Sequence, residues 1–152
     1  MKGRHMRKAL KDAEDWLNRN YNFICQVEAD KRMLIILTNR LESSVSKYET
    51  DGTDVHDVDK SKQRREDLLL DYSSLKAIVE KNEKKLVEEL TLTRKKIDLL
   101  SKPEYISLAI DRYINRLKWE DISNLEHISK SHLYRLRLEM LEEMTEILRD
   151  II

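Results

Sequence analysis

Lys130, Ser131, His132, Tyr134, Arg135 and Arg137 crowd into one short stretch directly behind Ser129. Lysine, arginine, serine and tyrosine donate to phosphate oxygens, and arginine, lysine and serine also bond base edges. No acid interrupts residues 129 to 138, and the acids return at Glu139, Glu142, Glu143 and Glu146. The chemistry this pattern points to is recognition of a polyanion. Double-stranded DNA fits it best, read by Ser129, Lys130, Ser131, His132, Tyr134 and Arg135 on the first two turns of a helix, with Arg137 as a flanking phosphate contact.

Such a reading head has to be held by a helix with a packing side. Leu133, Leu136, Met140 and Met144 share one helical face, and Ser131, Tyr134, Arg135 and Leu138 project from the other. Ser129 is suited to cap that helix by accepting from a free backbone amide in its first turn. Ahead of it, Trp119, Ile122 and Leu125 fall at helical spacing, with Glu120 and Asp121 in a first turn where carboxylates favour the positive end of the helix dipole. Glu126, His127 and Ile128 then form a short turn, so Leu117 to Leu141 reads as a helix-turn-helix. A further helix precedes it. Ser101, Lys102, Pro103 and Glu104 make an S-x-x-E capping pattern with proline in the first turn, and Ile106, Ile110, Tyr113, Ile114 and Leu117 supply a packing face.

The run from Tyr105 to Leu141 resembles the fourth conserved region of bacterial sigma factors. The residues that carry the resemblance are Tyr113, the Leu-x-Trp-Glu-x-Ile of 117 to 122, the Ile-Ser-x-Ser of 128 to 131 and the Leu-Tyr-Arg-Leu of 133 to 136. More closely, the run is similar to small sigma-like regulators of phages and prophages of Gram-positive bacteria, the late-gene activators of RinA and ArpU type. Those proteins also carry a helical, coiled-coil-like region ahead of the module. The resemblance implies promoter DNA as ligand, RNA polymerase as a second partner and the cytoplasm of a bacterial host as location. No sigma promoter-melting region is recognisable, so a complete sigma factor is not implied. Two positions depart from the pattern: His127 stands where the turn often has glycine, and Lys118 where the helix before the turn usually has a Ser or Thr cap. Histidine is among the non-glycine residues that tolerate a left-handed backbone better than most.

With 38% charged residues, two glycines and one proline, the chain lacks the breakers that sheets and loops need, and an all-α fold follows. Its formal net charge is zero. Between Pro103 and Ile152 the acids outnumber the bases, whereas DNA-binding domains are usually basic. Weak intrinsic affinity, supplemented by dimerisation or by polymerase, is the corollary.

The rest of the chain reads as a long antiparallel helical hairpin. Residues 6 to 49 form one expected helix, with Leu10, Leu17, Ile24 and Val45 in one heptad position and Ala13, Val27, Leu34, Leu41 and Tyr48 in the other. A polar loop at about 49–61 joins it to a second helix over 61 to 100, striped by Leu68, Tyr72, Leu75, Val79, Leu86, Leu90, Ile97 and Leu100. Two domains are therefore expected, a coiled-coil-like hairpin over 1–101 and the helix-turn-helix module over 102–152. Apolar faces broader than one seam suggest a homodimer or higher homo-oligomer.

Other function classes find little support. Glycine occurs only at 3 and 52, so there is no phosphate-cradling loop, dinucleotide fingerprint or nucleophile elbow, and neither an enzyme nor a cofactor is expected. His127 and His132 straddle the turn without a thiol or second carboxylate to complete a metal set. The loop acids Glu49, Asp51, Asp54, Asp57 and Asp59, with His56, lack the alternation and central glycine of a calcium loop. Cys25 is a lone cysteine, read as a small residue on a helix face. No apolar run approaches a membrane span and no signal peptide is visible, so no membrane partner is expected. The alternative function is a coiled-coil assembly or adaptor protein, or a phage packaging protein, whose C-terminal helices grip a protein.

Overall fold

The computed structural model describes the backbone of residues 2–50 and 55–152 and the side chains of residues 4–44 and 60–152. Among the described residues the chain is all helical: α1 (Lys2–Leu17), α2 (Tyr21–Thr50), α3 (Val55–Ile97), α4 (Pro103–Ala109) running into a π-helical turn (Ile110–Ile114), α5 (Trp119–Glu126) and α6 (Lys130–Ile147). The acids and His56 of the expected loop tip, and the seam residues Val45 and Tyr48, have side chains outside the described residues. No helix among those described is long and apolar enough to cross a membrane.

The expected single helix over 6 to 49 is broken at Asn18–Asn20. Asparagine is a poor helix former in the interior of a helix, and here two of them flank Arg19. The ladder slips to shorter bonds, Arg19 N–H to Trp16 C=O at 3.2 Å and Tyr21 N–H to Asn18 C=O at 3.0 Å. The Arg19 guanidinium also donates to the Trp16 carbonyl at 3.0 Å and lies 3.7 Å from the centre of the Trp16 ring. The Trp16 carbonyl at the end of α1 thus accepts from both the backbone amide and the side chain of Arg19.

Contacts divide the chain into two compact units. One compact unit comprises residues 1–21 and 87–152, and the other comprises residues 22–86, in place of the expected 1–101 and 102–152. In the first unit a single core gathers Ala13 and Leu17 of α1, Ile97 and Leu100 at the end of α3, Tyr105 and Leu108 of α4, Tyr113 of the π turn, Ile122 of α5, and Leu133, Met140, Leu141, Met144 and Leu148 of and just after α6. Three helices alone were expected to make the module. The apolar side of α6 is wider than α4 and α5 can cover, and α1 packs along the remainder with Leu10, Ala13 and Leu17.

The second unit pairs α2 with α3 in antiparallel fashion, with Lys31 bonded to Glu83 and the Lys85 ammonium 5.8 Å from the Phe23 ring centre. Its seam buries Ile24, Val27, Leu37 and Val79, while Met33, Ile35, Ile36, Leu69, Leu70 and Ile78 stay exposed.

Candidate nucleic-acid interface

The two helices of the expected reading motif lie at the residues the sequence gives them. α5 opens from Lys118, whose extended backbone (φ −71°, ψ 149°) has no side-chain cap, and Glu120 and Asp121 occupy its first turn. It closes on His127 in the left-handed region (φ 54°, ψ 40°). There the turn is tightened by Ser123, a residue the sequence reading passed over. Its hydroxyl donates to the Ile128 carbonyl at 2.7 Å while its own carbonyl accepts from the Ile128 amide at 3.2 Å. Ser123 is buried beside Ile122, so the inner face of α5 is Trp119, Ile122 and Ser123. Leu125, expected on that face, stands off its edge and is 61% exposed. The signal for Ser123 was slight: a small polar residue next to a core position, one turn before a left-handed residue.

Ser129 then caps α6, its hydroxyl accepting from the His132 amide at 3.1 Å. The first two turns present Lys130, Ser131, Tyr134 and Arg135 to solvent, with Tyr134 60% exposed. His132 is half-buried, and its Nδ1 accepts from the Arg135 guanidinium at 3.3 Å, which requires any single ring proton to sit on Nε2. No carboxylate stands among these residues along α6, and Glu120 of α5 borders Lys130 and Tyr134. On the opposite face Leu133, Met140 and Met144 are buried.

Arg137 is held elsewhere. Its guanidinium forks onto Glu14 of α1, Nη2 lying 2.8 Å and 2.9 Å from the two carboxylate oxygens and Nε 3.2 Å from one of them. The same carboxylate accepts from the Tyr113 hydroxyl at 2.8 Å. Burial pushes the Tyr113 phenol up, and the neighbouring Glu14 charge adds to the effect. Around this node Trp119 meets the edge of Tyr113 at 6.3 Å, with the guanidinium carbons of Arg112 and Arg137 lying 5.1 Å and 4.9 Å from its ring centre. Arg112 further donates to the Leu117 carbonyl at 2.9 Å, closing the bend in which Arg116 takes a left-handed backbone (φ 58°). Arg137 therefore ties α1 to the start of α5 and differs from the exposed Lys130 and Arg135. Glu14 has no local sequence signal, since its partners lie far along the chain.

Two of the acids expected to face solvent or a partner also turn inward. Glu139 accepts from the Tyr105 hydroxyl at 2.8 Å, a bond that pushes this phenol up to about 12. Glu143 accepts from the Ser101 amide at 2.8 Å and the Ser101 hydroxyl at 2.7 Å. Ser101 consequently does not cap α4. The residue at that boundary is Lys102 (φ −119°, ψ 137°), without a side-chain cap bond, and Pro103 opens the helix. The acidic half of α6 is in part a set of acceptors that fasten α4.

Between the start of α5 and the first turns of α6 lies a pocket of about 250 Å³ lined by Trp119, Glu120, Lys130, Leu133, Tyr134 and Arg137. Among the described residues no group of His, Cys, Asp and Glu could hold a metal ion. In comparisons with family models, curated proteins and solved structures, none matches the chain.

Proposed function

We propose that the chain is a transcription regulator of the sigma-like phage type that binds promoter DNA through the first two turns of α6. The observation that carries this reading is the exposed set Lys130, Ser131, Tyr134 and Arg135 at the capped start of a helix, behind a turn closed by left-handed His127, with no acid from 129 to 138. A helix seated in this way presents its N-terminal side chains to a major groove, and its amide end favours phosphate. Tyr134 and Arg135 are the base-edge readers in this proposal, Lys130 and Ser131 the residues that set the helix against the backbone. RNA polymerase remains the second partner that the resemblance implies. A homodimer through the hairpin fits its thin seam and its exposed Ile35, Ile36, Leu69 and Leu70.

A protein ligand at the same face is the second reading, and the pocket floored by Trp119 and Leu133 favours it. A pull-down of genomic fragments with the purified chain, repeated with Arg135→Ala, separates the two. DNA recognition predicts an enriched upstream sequence and a loss of about tenfold or more with the variant. No enriched sequence at low salt, or enrichment indifferent to Arg135, overturns it in favour of a protein ligand.

A further inference from the structure

α1 divides its surface by charge. Leu10, Ala13 and Leu17 face the core of the first unit. At about 100° per residue, Arg4, Arg7, Lys8 and Lys11 fall on a stripe roughly 100° wide centred about 140° from that face, with Asp15 on the same stripe one turn beyond Lys11. All four are exposed, and among the described residues none has an ion-pair partner. No acid precedes Asp12, and the first turn of α1 carries none.

This placement is unfavourable for the helix by itself. Arg4 and Lys8, and Arg7 and Lys11, are like charges four apart; Arg4 and Arg7, and Lys8 and Lys11, are like charges three apart. Arg4 also sits in the first turn, where the helix dipole is positive and cations are disfavoured. A polyanion laid along the stripe relieves the like-charge repulsion.

The stripe belongs to the same folded unit as the reading head. α1 runs antiparallel to α6, with the Thr145 hydroxyl at the Ala9 carbonyl (3.5 Å) and Arg137 on Glu14. By these pairings Lys11 is level with about residue 142 of α6, roughly 18 Å along its axis from Lys130 at 1.5 Å per residue, and Arg4 lies about 10 Å further on. Duplex DNA carries one charge per roughly 1.7 Å of its axis, so phosphates are available to the stripe wherever the bound duplex extends toward it. Residues 103–152 carry more acids than bases, and α1 adds a local cluster of bases to the same unit from the other end of the sequence.

We propose that the outer face of α1 is a second DNA-binding surface, gripping backbone phosphates that flank the site read by α6. The proposal rests on the reading of α6 given above. Phosphate contacts carry no sequence information, so the two surfaces have different signatures.

The test compares wild type, the triple variant Arg7→Gln/Lys8→Gln/Lys11→Gln and Arg135→Ala, with binding to the enriched fragment and to a scrambled duplex measured from 50 to 200 mM salt. Losing three phosphate contacts lowers the salt slope by about 2.7, so over that range wild type loses about 40-fold more affinity than the triple variant. The preference for the enriched fragment stays unchanged in the triple variant and falls in Arg135→Ala. Because the three positions are exposed and mutually repelling, the triple variant melts no lower than wild type. An unchanged salt slope overturns the role of α1, whatever Arg135→Ala does. A lowered slope with Arg135→Ala indifferent leaves α1 as a DNA contact and removes α6 as the reader. Wild type that binds neither duplex at 50 mM salt ends both. Sedimentation with phosphatidylglycerol vesicles is the remaining arm: binding lost only there assigns the stripe to an anionic lipid surface and overturns the proposal.

Discussion

Glu14→Gln tests whether α1 is an integral part of the recognition unit. The substitution keeps size and removes charge, so the Arg137 fork loses its counter-ion and the Tyr113 hydroxyl loses a charged acceptor. Neither partner is well hydrated: the side chains of Arg137 and Glu14 are 31% and 24% exposed, and Tyr113 is buried. Exposed ion pairs contribute up to about 1 kcal/mol, whereas removing one partner of a fully buried pair costs about 3–5 kcal/mol. A forked pair less than a third exposed, with a tyrosine on the same carboxylate, lies between these limits at about 2–3 kcal/mol. For a chain of this size that lowers the melting midpoint by roughly 5–10 °C. Urea melts of Glu14→Gln, Arg137→Gln and the double variant give the coupling directly, and about 1.5 kcal/mol is expected after discounting for the exposed fraction. Tyr113→Phe is the control, expected to lose about 1 kcal/mol. The DNA salt slope supplies an independent readout. Arg137→Gln should leave it unchanged, and Glu14→Gln, which frees Arg137, should raise it by up to about one. Coupling below about 0.5 kcal/mol, or a slope that falls in Arg137→Gln, would refute the reasoning and return Arg137 to the phosphate-contacting set.

His127→Gly should raise stability by about 1 kcal/mol and His127→Val lower it, as seen by thermal melts, because only the first relieves a left-handed backbone; equal effects would deny that conformation. Ser129→Ala is expected to cost about 1 kcal/mol through loss of the α6 cap, and Ser129→Asp to restore most of it. Tyr105 is held neutral by its bond to Glu139, with its folded value raised above 10 to about 12. The unfolded chain therefore sheds this proton first, and the stability Tyr105 contributes is complete below pH 10 and is lost as pH rises toward 12. Urea melts across that window should fall more steeply for wild type than for Tyr105→Phe, and parallel profiles would contradict the assignment.

What could be read from the sequence was local. The start of α6 at Lys130, the Ser129 cap and the turn at His127 depend on residues within one or two turns of each other, and the structure has them at those positions, while α5 runs one residue further than expected, to Glu126. The break at Asn18–Asn20 was hidden because the apolar pattern runs from Leu10 through Leu17 to Ile24 without a slip. Periodicity records which positions seek burial, not which partner buries them. Leu10, Ala13 and Leu17 find α6, whereas Ile24, Val27 and Leu37 form the hairpin seam, so one continuous stripe serves two units. Ser101 shows the same limit for polar groups. Its spacing to Glu104 suited a capping box, and Glu143 across the unit offered an acceptor for both its amide and its hydroxyl. Arg137 was assigned to phosphate by residue type, before the distant carboxylate of Glu14 could be weighed.

The first unit is assembled from two stretches of chain with the hairpin inserted between them, and the two crossings lie side by side where Arg19 meets Glu89 at 3.4 Å. In the unfolded chain, halving or doubling an intervening segment changes the closure cost by only about 0.6 kcal/mol. The length of the hairpin is then an almost neutral variable for the stability of the recognition unit, open to adjustment by whatever its far end must reach. Synthesis makes α1 before α6, the helix along which Leu10, Ala13 and Leu17 pack, so the unit closes only when the last part of the described chain is present.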